Sequence, residues 1–345
     1  MHMEDNTISV TLGGDHNYFI GIYVAAHSIC SAAAEGSSIR LHIFDAGLDD
    51  DDRRLLQMLE GSFPNRIVSV HIFTPDLSPF ACLPKFHGSH ATFARLLLQD
   101  LLPDEEWTVY TDVDVLWLKD INGLWEQRDA AHALFAAPDG SGFEAFSHGA
   151  VLARKRYPEL GGKAPERYFG AGILMLNLKR LRKIGFTRHV IDLVPRVGDR
   201  FKYSDQDFYN FLLPYPEAQY VAPRWNVFAC HWGTYGTDDQ VVHYAGWVPW
   251  KRPKIRRVIM EWWYYLSAIG WDRFGSRGDA YRRAFEQAQA EYRALCSPMS
   301  LALLRIFRPK LWRKRMLRLV PTPYDPEVGD WKTPADVKMS DLNRN

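Results

Sequence analysis

Hydrophobic and polar positions break the first 250 residues into short apolar runs closed by glycine, proline or acidic turns. Residues 7–12 (TISVTL) read as a strand, Gly13 to Asn17 as a turn, and residues 20–33 as an Ala-rich apolar helix. Residues 39–44 (IRLHIF) and 67–73 (IVSVHIF) form the next two strands. Between them lies a helix over 53–60 that opens on four acids at 49–52, where carboxylates suit the helix dipole. Strand and helix in alternation predict a parallel β-α-β arrangement. An apolar helix over 92–102 carries one conspicuous cation, Arg95, of a kind that usually snorkels or is paired. Strands follow at 107–118, 133–138 (leading to Asp139) and 171–178, helices at 179–194 and 203–213, and a short strand ends at His243. In the helix over 203–213, Ser204 reads as a cap with Asp205 and Asp207 in the first turn, and Gln206 between them is unexplained by capping. The Gly- and Arg-rich residues 141–163 suit a surface loop.

The chemistry turns on residues 107–118, WTVYTDVDVLWL. The composition is that of a strand buried on both faces, interrupted by Asp112 and Asp114. Unpaired carboxylates there would cost several kcal/mol each. If the strand ends near Thr111, both acids emerge together at the carboxyl edge of an open sheet, where ligands bind. One hard divalent cation, Mg²⁺ or Mn²⁺, then satisfies both, and the competing reading is a solvated turn. The turn after the first strand allows close approach to the backbone but matches neither a dinucleotide fingerprint nor a P-loop. Asp15 and Asn17 read equally as helix caps and as ligand contacts. His243 alone does not rise above an ordinary core or surface histidine.

Composition adds bounds. A chain of 345 residues, 47% apolar, fits one large α/β domain with additions, or two domains, and its net charge of +1 favours no class of partner. The cysteines at 30, 82, 230 and 296 form no CxxC pair, which argues against a zinc ribbon or disulfide framework and for a reducing compartment. With no apolar signal core and no run of about 18 apolar residues, neither secretion nor a spanning helix is expected.

Taken in order, Gly13-Gly14-Asp15-His16-Asn17-Tyr18, Arg95, Tyr110-Thr111-Asp112-Val113-Asp114, Ala171 to Leu178 (AGILMLNL), Asp205-Gln206-Asp207 and His243-Tyr244-Ala245-Gly246 resemble glycosyltransferase family 8. The resemblance is closer to the bacterial lipopolysaccharide galactosyl- and glucosyltransferases than to glycogenin, and it covers about residues 7–250. It rests on the order and spacing of six motifs rather than on any one. It implies a GT-A fold, a Rossmann-like nucleotide-binding α/β sheet with helices on both faces. It further implies retaining transfer of galactose or glucose from a UDP-sugar, with Mn²⁺ (or Mg²⁺) as cofactor. Position by position, it implies that Asp112, Asp114 and His243 hold the metal, that Gly13, Asp15 and Asn17 line the uridine, and that Arg95 and Asp139 lie near the donor sugar. Asp205 would grip that sugar's hydroxyls, and Gln206 would sit beside the anomeric carbon, opposite the leaving group. Val113, Gly246 and Lys251 are counted with the donor-binding residues. An amide at Gln206 favours front-face attack over double displacement, with Asp205 as the alternative nucleophile.

Two positions depart from the family pattern. Gly246-Trp247-Val248-Pro249-Trp250 is one residue short and lacks a diphosphate-binding lysine, which leaves Lys251, Arg252 and Lys254 as substitutes. Gly170 stands where relatives commonly carry asparagine, which leaves sugar selectivity open.

Beyond residue 250, five cations at 251–257 precede an aromatic stretch, MEWWYYL, suited to a half-wet interface. Residues 301–320 hold seven Arg or Lys and no acid among apolar residues. That composition suits a helix lying on an anionic bilayer, kinked at Pro309, or alternatively a helix packed on the domain with a basic outer face. No nucleic-acid-binding module accompanies it, so nucleic acid is not an expected partner. The expected division is a catalytic domain over 1–250, a membrane-association region over 251–320 and a disordered tail over 321–345. The sequence thus describes a cytoplasmic enzyme, peripheral to the inner face of the membrane, that glycosylates a lipid-linked glycan such as a lipopolysaccharide core. Its rivals are a transferase acting on a soluble or protein acceptor and a UDP-sugar-binding protein without turnover.

Overall fold

Apolar runs become strands at Ile8–Gly14 (β1), Ser38–Asp45 (β2), Ile67–Phe73 (β3), Trp107–Thr111 (β4), Val115–Trp117 (β5), Leu134–Pro138 (β6), Phe169–Asn177 (β7), Ala218–Tyr220 (β8), Val227–Phe228 (β9) and Val241–His243 (β10). This computed structural model describes residues 7–85, 88–139, 168–197, 201, 203–213, 217–229, 239–246, 248–251 and 257–296. They fall in two compact units, one of Met1–Phe228 with Gln240–His243, the other of Ala229–Asp239 with Tyr244–Asn345.

In the first unit, seven strands form a sheet in the order β3-β2-β1-β4-β7-β6-β8. β1 pairs in parallel with β2 and β4, and β2 with β3, as the alternation of strand and helix requires. β7 runs antiparallel to both β4 and β6. Every residue of β1 and β7 is buried, which is why β7 reads as a nearly continuous apolar run and β1 carries only the small polar side chains of Ser9 and Thr11 between its apolar ones. Helix α1 (Phe19–Ala32) follows β1 and buries most of its residues. Helix α2 (Asp50–Gln57) starts on a capping box in which Asp49 accepts from the Asp52 backbone and Asp52 from that of Asp49. After β3 the chain returns to the far side of β1 to lay down β4. The carboxyl ends of β1 and β4 therefore flank the point where strand order reverses, the place where open α/β sheets bind ligands.

The run over 107–118 is two strands rather than one. β4 stops at Thr111, and β5 joins a second, three-stranded sheet, β5-β10-β9, so Asp112 to Asp114 form the elbow between two sheets. The expected helix over 92–102 is a 3₁₀ segment, Ala91–Leu97, followed by one α turn, Leu98–Leu101. The tighter winding eclipses Thr92 and Arg95, three apart, and ties Arg95 Nε to the Thr92 carbonyl at 3.1 Å. Ser204 does not cap Asp205–Leu212. At φ +51° its side chain makes no cap bond, and Asp207 instead accepts from the Tyr203 amide.

In the second unit, the helices Arg257–Ile269 and Gly278–Cys296 flank a 3₁₀ segment, Trp271–Arg277. The half-wet expectation for the aromatic stretch fails at its two tryptophans. Trp262 and Trp263 are 0% and 2% exposed and pack against each other, with Trp250 on Trp262, so these rings are core. Among the described residues no helix is long and apolar enough to cross a membrane. Residues 141–163, Arg252, Lys254 and residues 301–345, for which the sequence carries expectations, lie outside the described residues.

Gly13 shows how tightly β1 and β2 approach. A Cβ placed there would fall 2.2 Å from the Phe44 carbonyl oxygen and 2.7 Å from Phe44 Cγ. Gly13→Ala is therefore expected to overpack this strand pair and cost about 1–3 kcal/mol, read as a lower urea midpoint with unchanged slope. An unchanged midpoint would contradict this packing role.

Candidate active site

Asp112 and Asp114 reach the carboxyl edge because the sheet ends beneath them. The Asp112 amide donates to the Gly172 carbonyl at 2.7 Å, the last bond tying this elbow to β7. β10 then runs antiparallel to β5 and ends at His243, opposite Val115. His243 Nε2 lies 3.5 Å from Asp112 Oδ2 and 3.4 Å from Asp114 Oδ1, and a donor atom from each of the three residues falls within 4.8 Å of the others. Burial opposes the charge on His243, but Asp114, then Asp112, outweigh it and raise the imidazole pKa. Burial likewise pushes Asp114 up, and His243 more than reverses it, leaving the carboxyl below its ordinary range. Two carboxylates and one imidazole form a mainly oxygen donor set that suits Mn²⁺ or Mg²⁺.

Arg95, 6% exposed, links this cluster to a second one. Nη2 donates to Asp112 Oδ1 at 2.6 Å, and Nη1 donates to the Ala171 carbonyl at 2.8 Å and lies 3.1 Å from Asp205 Oδ2. The guanidinium carbon sits 4.2 Å from the centre of the Tyr110 ring, whose hydroxyl also donates to Asp112. Burial works against its charge, but Asp112 and Asp205 raise its pKa above the ordinary value. Asp205 also accepts from the Thr92 hydroxyl at 2.5 Å. Burial, only partly offset by Arg95 and reinforced by Asp112, pushes the Asp205 pKa up to about 6. Gln206 Oε1 accepts from the Ala171 amide at 2.9 Å, so the amide oxygen is held by β7. Asp139, just past β6, is also pushed up to about 6, by burial against the opposing pull of His243 and a hydrogen bond from Gln206.

The fold therefore brings Arg95, Asp112, Asp114, Asp139, Asp205, Gln206 and His243 to one edge, with Val113 in the elbow itself. Asp15 realises its capping reading, accepting from the Asn17 amide at 2.9 Å while Asn17 stays exposed. Burial, then Asp114 and Asp15, raise the Tyr18 pKa and mark the first loop as a neighbour of the Asp112, Asp114 and His243 cluster. Gly246, at φ +71°, and the exposed Lys251 belong to the second unit. A second His/acid group, His16 with Asp49 and Asp52, is accounted for by the capping box of α2.

Sequence reasoning passed over three residues. Thr92 has a signal, standing three before Arg95. Gly172 stands in the 171–178 motif but was given no role of its own, yet a Cβ there would lie 2.2 Å from His243 Cε1, so the imidazole rests on bare backbone. Asn226 has no signal, and its Oδ1 accepts from His243 Nδ1 at 2.9 Å.

Residues 9–253 match the family described as glycosyl transferase family 8. General stress protein A of Bacillus subtilis (strain 168) is 22% identical over 294 residues, covering 79% of this chain and 98% of that protein. Lipopolysaccharide glucosyltransferase WaaO of Escherichia coli (strain K12) is 26% identical over 216 residues, with 61% of this chain matching 60% of that one. The crystal structure of the galactosyltransferase LgtC in complex with donor and acceptor sugar analogues superposes with a TM-score of 0.63 at 25% identity, covering 76% of this chain and 96% of that chain.

Asp139 and Asp205 each bind a proton more tightly folded, at about 6, than at the ordinary 3.8. Between those values the folded state holds more protons than the unfolded one, so stability falls as pH rises through the window. Asp139→Asn should remove its share of that cost, on the order of 2–3 kcal/mol at pH 7, raising the melting temperature there and flattening its decline between pH 4 and 6.5. A slope as steep as that of the parent would contradict it.

Proposed function

The chain belongs to glycosyl transferase family 8 with a GT-A fold, and from that footing we propose that it moves galactose or glucose from a UDP-sugar to a glycan acceptor with retention of configuration. The observation that carries this reading is the convergence of Asp112, Asp114 and His243 at the switch point of the sheet, beside a second cluster of Asp205, Gln206 and Arg95. The first three would hold Mn²⁺ or Mg²⁺, and a bound ion there supplies Lewis-acid stabilisation to a departing diphosphate. Gly13, Asp15 and Asn17 are assigned to the uridine, Arg95 and Asp139 to the neighbourhood of the donor sugar, and Val113 and Gly246 to the donor as a whole. Lys251 is the candidate replacement for the missing diphosphate lysine.

The stereochemical reading rests on what the side chains are already doing. Double displacement needs a carboxylate free to attack the anomeric carbon. Both Asp205 oxygens are engaged, Oδ1 by Thr92 and Oδ2 by Arg95, and the Gln206 oxygen is held by the Ala171 amide. Those engagements favour front-face attack, in which Asp205 orients the donor sugar, Gln206 lines the face behind the anomeric carbon, and the departing phosphate oxygen takes the acceptor's proton.

WaaO is by name a lipopolysaccharide glucosyltransferase, which supports a lipopolysaccharide or other membrane-borne glycan as acceptor here. The basic amphipathic composition of residues 301–320 supports peripheral attachment to the inner face of the cytoplasmic membrane, with residues 1–250 as the catalytic part and 251–320 as the attachment region. The absent lysine of the 246–250 motif favours one second reading, a UDP-sugar-binding protein without turnover.

Purified protein incubated with UDP-galactose or UDP-glucose and Mn²⁺ is expected to release UDP slowly. Chelation should stop the release, and Asp114→Asn should reduce it by about 100-fold or more, the order seen when a transition-state stabiliser is removed. Tight UDP binding with no release, even with acceptor glycans present, would instead identify the binding protein. Deletion of residues 301–345 is expected to abolish co-sedimentation with vesicles containing anionic lipid, and unchanged sedimentation would contradict the membrane assignment.

A further inference from the structure

His243 is seated by three neighbours. Its ring rests on the backbone of Gly172, where a Cβ would fall 2.2 Å from Cε1. Phe228, paired with it across β9 and β10, meets it edge to face at 5.5 Å. The third neighbour is Asn226, 1% exposed, which caps the 3₁₀ turn Pro223–Trp225 and leads into β9. Its Oδ1 accepts from His243 Nδ1 at 2.9 Å. Its Nδ2 is buried with no hydrogen-bond partner among the described residues, so the bond to the imidazole is what that side chain offers in return for burying an amide.

We propose that Asn226 is a positioning residue for the metal site, holding the Nδ1 proton of His243 so that Nε2, the nitrogen beside Asp112 and Asp114, is the one left to coordinate. A carbonyl oxygen only accepts, so the nitrogen it meets must be the protonated one, and the other ring nitrogen is left to coordinate. Ligand histidines are commonly held this way by an acceptor on the far nitrogen, and loss of that acceptor weakens metal binding about 10–100-fold. The same contact explains why residue 170 is glycine. A Cβ on Gly170 would lie 2.7 Å from Asn226 Nδ2 and would drive the carboxamide off the imidazole.

This inference rests on the metal reading given above, and Mn²⁺ affinity of the intact protein, measured by the loss of the free-ion electron paramagnetic resonance signal, tests the two separately. Asn226→Ala is expected to weaken Mn²⁺ binding about 10–100-fold, and Asn226→Asp, which keeps the acceptor, to stay within about threefold of the parent. Gly170→Ala should weaken binding comparably to Asn226→Ala, and adding it to Asn226→Ala should cost no further affinity, because both changes break one contact. Should Asn226→Ala fail to fold, Gly170→Ala and its rescue by a smaller residue at 226, Asn226→Ser, carry the test. Parent-like Mn²⁺ affinity in folded Asn226→Ala or Gly170→Ala, or full additivity of the two, would overturn the role of Asn226 while leaving the metal site standing. A parent protein that takes up no Mn²⁺ would overturn the metal reading itself and this inference with it.

Discussion

A buried guanidinium makes the site possible. Asp112 and Asp205 lie far apart in the sequence, and their negative charges would repel across a poorly solvated edge if nothing stood between them. Arg95 stands between them, 2.6 Å from one and 3.1 Å from the other. Removing one partner from a buried charge network of this kind leaves an uncompensated charge behind and is far costlier than the net worth of the network. Arg95 is itself held by the Thr92 and Ala171 carbonyls and the face of Tyr110. The planar fork of arginine suits these divergent acceptors in a way that the single point of a lysine ammonium does not. The half of the site that would hold a metal and the half that would hold a sugar are thereby locked in one geometry by one side chain.

Missing side chains matter as much as those present. At Gly13 the neighbouring strand occupies the space a Cβ would need, at Gly172 the imidazole does, and at Gly170 the Asn226 carboxamide does. These three glycines do not serve turns, since none has a positive φ. They let strands and rings approach bare backbone, so β7 can run beneath His243 and still hydrogen-bond the elbow that carries Asp112.

Much of this was legible in the sequence, and the rest was hidden for identifiable reasons. Inner strands such as β7 were readable because burial on both faces needs a nearly continuous apolar run, and the acids at 112 and 114 were visible because they interrupt one. The direction of β7 was not readable, since a fully buried strand has the same composition parallel or antiparallel. The 3₁₀ winding of Ala91–Leu97 was hidden because the groups that hold Thr92 and Arg95, namely Asp205, Ala171 and Asp112, come from distant parts of the chain. Asn226 is a single polar residue with no local pattern, and only the fold brings it to His243 and Thr92 to Asp205. The two tryptophans at 262 and 263 misled because aromatic density marks wet interfaces and dry cores alike.

The proposed transfer depends on two acids and one imidazole sharing one ion. Anomalous diffraction at the manganese absorption edge, from crystals grown with UDP and Mn²⁺, tests this directly. A strong peak is expected within coordination distance of the Asp112 and Asp114 carboxylates and of His243 Nε2. A peak held by other acids, such as Asp139 and Asp205, with His243 turned away from it, would contradict it.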